Sequence, residues 1–318
     1  MRVALKEFRK FKGPIQPNGF QNYDSFTQER EILDKIRGLV KNRHITQKLG
    51  TFSQRDKNYI IFPWADGGDL KNFWSKESSK TRTPQLAMWC LEQMLGLSEA
   101  LRALHQEMGN KSDEANCRHG DLKPANILHF INHEHEFGVL KIADFGVSKI
   151  HENATFRRLG TPTNTQETTW SYEAPEALST RTRSRKYDIW SLGCIFLEFT
   201  IWIVRGWEAV QTFENARKPQ STGQDNQDVG RFYQVIQGGV KVHPKVEKCF
   251  ADLEGVAQCK EGTALGDLLT MIKTELIQVD FHKRLGAKEL YERFGIIVEK
   301  AKSNPVYLFN NENLAAAG

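Results

Sequence analysis

Ten consecutive residues, His119-Gly120-Asp121-Leu122-Lys123-Pro124-Ala125-Asn126-Ile127-Leu128, place a carboxylate, an ammonium and an amide within six positions on what must be a tight loop. Phosphoryl transfer from ATP needs those three groups: an acceptor for a hydroxyl proton, a cation near the γ-phosphate, and an oxygen ligand for Mg²⁺. Sixteen residues after Asn126 begins a second run, Ile142-Ala143-Asp144-Phe145-Gly146. Its carboxylate precedes a glycine that permits an unusual backbone angle, which suits a second hold on the metal. A pair of coincidental loops with solvated aspartates is the plain alternative; the second run alone would be a weak signal, and the ten-residue run before it is what tells against coincidence.

Such loops need strands and helices to hold them. Val3 to Phe8 is β-prone and is followed by a Gly/Pro/Asn stretch that reads as loop. Phe26, Ile32, Leu33, Ile36 and Leu39 recur at helical spacing. Strand candidates follow at Gln47 to Phe52 and Asn58 to Phe62, and Pro63-Trp64-Ala65-Asp66-Gly67-Gly68 breaks regular structure as a connector. The rest is mainly helical. Leu86 to His105 is long and amphipathic, Gln106 to Asn116 is a polar insertion, and short strands flank His119 to Leu128 and Leu140 to Asp144. Ile189 to Val204, IWSLGCIFLEFTIWIV, is apolar on all faces. It is shorter than the roughly 20 residues a bilayer requires and contains Glu198, so it is expected as a buried central helix. Lys218 to Asp228 reads as a polar loop, and the tail beyond about Lys300 is expected to fray.

The two chemical runs together resemble the catalytic loop and the D-F-G metal motif of the eukaryotic-type protein kinase superfamily. Ala174-Pro175-Glu176 resembles the motif closing the activation segment, Arg284 matches the arginine paired with that glutamate, and Asp188 matches the aspartate that anchors the catalytic loop. Val3-Ala4-Leu5-Lys6 resembles the V-A-I-K strand. The resemblance then implies Lys6 as α/β-phosphate ligand, Glu29 as its partner, Phe62 as gatekeeper, and Pro63 and Ala65 as the hinge groups facing adenine. The hinge wording resembles that of fungal kinase-like proteins. It further implies Asp121 as the base for the substrate hydroxyl, Lys123 at the γ-phosphate, and Asn126 and Asp144 as Mg²⁺ ligands. Thr169, seven residues before Glu176, matches a threonine found in Ser/Thr kinases.

Three departures from the family pattern stand out, one of them the insertion Gln106 to Asn116, which lengthens the approach to the catalytic loop. Only five residues precede Lys6, so the family's Gly-rich lid over the phosphates has no counterpart; Met1 is expected to be internal, with the true start upstream. Gly120 replaces the arginine that in many kinases pairs with a phosphorylated activation segment, so activity is expected to be insensitive to phosphatase although Thr161, Thr163, Thr165 and Thr168 are available.

Composition narrows the classes further. A net charge of +5, from 44 basic and 39 acidic residues, is mild and does not argue for nucleic acid. The cluster Arg181, Arg183, Arg185 and Lys186 reads as a solvated loop. Five cysteines without Cys-x-x-Cys spacing fit a reducing compartment, cytoplasmic or nuclear, and the charged N-terminus is no signal peptide. His133-Glu134-His135-Glu136 reads as solvated rather than as a metal site. The expected protein is an α+β, two-lobed kinase-like fold with an incomplete N-terminal β-lobe (1–62), a hinge (63–68), a mainly helical C-lobe (69–298) and a tail (299–318). Its expected activity is ATP- and Mg²⁺-dependent phosphorylation of Ser/Thr on protein substrates, with no membrane or nucleic-acid partner. A pseudokinase scaffold is the rival, favoured by the missing Gly-rich loop; a small-molecule phosphotransferase is disfavoured by Ala174-Pro175-Glu176.

Overall fold

The computed structural model describes residues 2–9, 25–39, 42–77, 83–107, 117–131, 136–146, 149–150, 170–178, 184–218 and 230–308. Alternating side chains in Val3 to Phe8 form strand β1 (Val3–Arg9), which runs antiparallel to β3 (Lys57–Pro63), with Lys6 opposite Ile60 and Ala4 opposite Phe62. Strand β2 (Gly50–Gln54) covers the other edge of β3, giving the order β1-β3-β2. Helix α1 (Ser25–Leu39) buries Phe26, Ile32, Leu33 and Ile36, the three-to-four spacing expected of a helix with one apolar stripe. The strand expected from Gln47 starts only at Gly50. The chain before it turns towards the larger lobe, where the Thr46 N–H donates to the Ile142 carbonyl and the Ile142 N–H to that of His44, each at 2.8 Å.

In the larger lobe, β4 (Gly68–Asp69), β6 (Ile127–Phe130) and β7 (Val139–Ile142) form one small sheet, and β5 (Cys117–Arg118) pairs with β8 (Lys149–Ile150). Helix α2 (Leu70–Lys76) starts with a reciprocal cap between Asp69 and Asn72. Helix α3 (Pro84–Glu107) packs its apolar residues inward and approaches His44 so closely that a Cβ on Gly96 would fall 2.1 Å from the imidazole. Burial pushes His44 down to about 4, and its Nδ1–H donates to the Leu140 carbonyl at 2.8 Å.

Helix α4 (Lys186–Arg205) is the expected central helix: its composition would let it cross a membrane, yet it lies inside the fold with Trp190 and Trp202 fully buried. Around it lie α5 (Trp207–Ala216), the hairpin of β9 (Tyr233–Ile236) and β10 (Gly239–Val242), α6 (Pro244–Glu254), α7 (Ala264–Met271), α8 (Ala287–Ser303) and α9 (Pro305–Leu308).

Two further expectations are corrected. The chain past Lys300 does not fray at once: α8 continues to Ser303, and α9 buries Tyr307 and Leu308. Arg185 and Lys186 are not a solvated pair, because Arg185 donates to the His105 carbonyl at 2.8 Å and Lys186 donates to that of Arg284. The threonines 161, 163, 165, 168 and 169, the histidines 133 and 135, Arg181 and Arg183, and nearly all of the two polar loops lie outside the described residues.

Candidate active site

Strand β1 carries Lys6 into the space between the lobes, where its Nζ lies 2.8 and 2.7 Å from the two Glu29 carboxylate oxygens and 2.7 Å from Asp144 Oδ1. Glu29 can take this place because it shares the inner face of α1 with Leu33 and is itself 1% exposed. Burial alone would lower the Lys6 pKa, but the carboxylates of Asp144 and Glu29 outweigh it and hold the ammonium above its ordinary value. Burial would likewise raise Asp144, and the charge and hydrogen bond of Lys6 override that, holding it below the usual carboxylate range.

Asp144 has a φ of +63°, a left-handed angle that few residues with a side chain adopt, and the Gly146 N–H donates to its Oδ1 at 3.2 Å. The unusual angle expected at the glycine thus falls on the aspartate. Gly146 serves by leaving room: a Cβ there would sit 2.8 Å from Glu29 Oε2 and 3.1 Å from Lys6 Nζ.

The catalytic-loop run bends through a turn of 3₁₀ helix at Pro124–Asn126. Asn126 Nδ2 donates to the Asp121 carbonyl at 2.8 Å and to its Oδ2 at 3.1 Å, and Lys123 Nζ lies 3.0 Å from the same Oδ2. Asp188, wholly buried on α4, holds the start of the loop by accepting the His119 and Gly120 N–H groups at 2.8 Å each. Gly120 makes this possible with a φ of +79°. His105 Nε2 lies 2.9 Å from Asp188 Oδ2. Although burial opposes it, the bond from His105 and the neighbouring donors keep Asp188 below the usual carboxylate range. The His119 ring bridges the two motifs, with Nε2 3.0 Å from the Ala143 carbonyl, Nδ1 accepting from the Asp121 N–H at 3.3 Å, and its edge against Phe145.

Between the lobes is a cleft of about 440 Å³ whose walls include Lys6, Glu29, Pro63, Ala65, Asn126 and Asp144. Ala4, Phe62, Leu128 and Ala143 make much of its surface apolar. Pro63, expected as a connector residue, closes β3 opposite Val3 while still lining the cleft. Asp121 and Lys123 are not wall residues; they stand beside the cleft, joined to it through Asn126. Sequence reasoning gave no role to His105, His119 or Thr46. The first two act through partners 83 and 24 residues away, a separation that leaves no local signal.

An apolar slot edged by backbone groups and oxygen donors fits a nucleotide with a hard cation. Asn126 spends its amide N–H on Asp121, and Asp144 commits Oδ1 to Lys6 and Gly146, so each offers a further oxygen of the kind Mg²⁺ takes.

The triad gives the cleft a pH signature. Asp144 is depressed, so its contribution to stability is complete above the ordinary aspartate value of 3.8 and is lost as the pH falls through its lower native value. Lys6 is raised, so its contribution is complete below the ordinary 10.5 and is lost only as the pH rises through its higher native value. Lys6→Met is therefore expected to destabilise the protein at neutral pH, with the difference from wild type shrinking in acid. Urea denaturation near pH 7 and at about pH 3 measures both, and an undiminished difference in acid contradicts ion pairing as the cause.

The chain is similar in sequence to known proteins. The chain is 34% identical over 200 residues to serine/threonine-protein kinase Nek2 of Mus musculus, covering 60% of this chain and 41% of that protein. It is 32% identical over 197 residues to serine/threonine-protein kinase dkf-2 of Caenorhabditis briggsae, covering 61% of this chain and 14% of that protein. Against tyrosine-protein kinase Fer of Homo sapiens it is 29% identical over 173 residues, covering 54% and 18%. The chain spans less than half the length of each of these relatives. The protein kinase domain family model matches residues 1–293 of the 318, and the chain belongs to that family.

Proposed function

We propose that the chain transfers the γ-phosphate of ATP to serine and threonine hydroxyls of protein substrates. The observation that carries this reading is the hold on Asp121: Asn126 and Lys123 both bind its Oδ2 and leave Oδ1 to accept a proton. In this role Asp121 orients the substrate hydroxyl and takes its proton, and Lys123, 3.0 Å away, offsets the charge that develops on the transferred group. Lys6, fixed by Glu29, is the residue that would hold the α- and β-phosphates. Asn126 and Asp144 would hold Mg²⁺, which when bound neutralises phosphate charge. Pro63 and Ala65 would face the adenine. The five groups Lys6, Asp121, Lys123, Asn126 and Asp144 support catalysis over a scaffold role, since a binding module has no chemical need to keep them all.

Serine and threonine are preferred over tyrosine because Thr169, in Thr169-Trp170-Ser171-Tyr172-Glu173-Ala174-Pro175-Glu176, matches the Ser/Thr kinase pattern. Incubation with labelled ATP and protein substrates, followed by phosphoamino-acid analysis, tests this. Phosphoserine and phosphothreonine are expected. A product that is mostly phosphotyrosine overturns the specificity, and no transfer at all overturns the enzymatic reading.

A further inference from the structure

Away from the cleft, the core holds a charged pair that the chemistry above does not use. Arg217, just past the end of α5, is 2% exposed, and its guanidinium lies in the corner formed by the rings of Phe213 and Phe232, 4.0 and 3.9 Å from their centroids. Its Nη2 donates to Glu198 Oε1 at 3.1 Å, its Nε to the Gly230 carbonyl at 3.2 Å and its Nη1 to that of Phe213 at 3.3 Å. Glu198, on α4 and 1% exposed, receives the Tyr172 hydroxyl on its other oxygen at 2.7 Å. The Tyr172 carbonyl in turn accepts from Ser191 Oγ at 2.8 Å, and its ring packs on Phe232. The chain is continuous from guanidinium to carboxylate to phenol. It ends two residues before Ala174-Pro175-Glu176, on the segment that also carries Trp170, 38% exposed, and Glu173, 3.9 Å from Arg231.

From this we infer that Arg217 is a positioning residue for protein-substrate binding, acting through Glu198 and Tyr172 to fix the backbone of residues 170–173. The inference rests on the kinase reading for its substrate and on geometry alone for the segment it holds. Burial drives the Glu198 carboxyl above its usual range even against Arg217, and burial with Glu198 drives the Tyr172 hydroxyl far above its own, so the phenol keeps its proton and stays the donor. A buried carboxylate with its cation removed is unstable as an ion and reorganises its neighbours, so the effect of losing Arg217 passes to Tyr172. Neither Arg217 nor Glu198 lines the nucleotide cleft, so nucleotide affinity is a built-in control.

The test uses Arg217→Met, which keeps an apolar filler against the two rings, the double variant E198Q/R217M, which removes both charges, and Tyr172→Phe, which removes one hydroxyl and spares the packing. Amide hydrogen exchange at residues 170–173 is expected to quicken by about tenfold in R217M and Y172F, and to return towards wild type in the double variant. KM for a protein substrate is expected to rise by a similar factor, with nucleotide Kd and kcat near wild type. Unchanged exchange in both single variants overturns the inference, as does quickened exchange with unchanged KM. If the wild type transfers no phosphate, the kinase reading fails by itself, and the exchange measurement still decides whether Arg217 holds the segment. Should R217M fail to fold, Y172F carries the same comparison.

Discussion

Replacing Asp121 with asparagine is expected to lower phosphoryl transfer by roughly 10²- to 10⁴-fold, the usual worth of a positioned general base. The substitution keeps the shape of the side chain but removes its charge, and with it both the capacity to take a proton and the ion pair with Lys123. The loop should survive it, because Asn126 Nδ2 also donates to the Asp121 backbone carbonyl at 2.8 Å and the His119 and Gly120 amides are tied to Asp188. Nucleotide affinity should hardly move, since Asp121 is not part of the cleft wall. Trp64 lines that wall and is 46% exposed, so a change in tryptophan fluorescence on adding nucleotide follows binding beside the rate measurement. Near-normal turnover in D121N would remove Asp121 from its proposed role. A matching loss of binding would point to damage in the cleft rather than to lost proton transfer.

Arg284→Met should be the most destabilising single change among the structural ion pairs. Arg284 meets Glu176 in a two-pronged bond of 2.7 and 2.8 Å, with the arginine side chain 0% and the glutamate 6% exposed. Further donations reach the carbonyls of Gln278 at 2.7 Å and Lys186 at 3.0 Å, and the guanidinium lies 5.1 Å from the Trp190 ring centroid. Methionine preserves much of the volume but takes from the buried Glu176 carboxylate its arginine partner, a change that costs about 3–5 kcal/mol. Removing the carboxylate as well, in E176Q/R284M, should recover part of that loss. Urea denaturation of the two variants measures both, and a loss below about 1 kcal/mol in R284M would show that the pair is solvated after all.

What the sequence determined by itself lies in contiguous runs and short periods. The Asp121, Lys123 and Asn126 cluster, the helix bearing Glu29, and the buried helix around Trp190 were legible because each depends on neighbours within a few positions, where residue type and spacing constrain the backbone directly. Lys6 with Glu29, Asp188 with the catalytic loop, and Arg284 with Glu176 were legible only through a resemblance, since nothing local connects partners 23, 68 or 108 residues apart. Tertiary structure decided the remainder. It brought Asp144 onto Lys6 across 138 residues and moved the strained backbone angle from Gly146 to Asp144. It started β2 at Gly50 because the chain before it bonds to Ile142, and it buried Arg217 against Glu198. A charged residue reads as solvated in a sequence because most are. Only packing shows where two rings and a carboxylate have replaced the water.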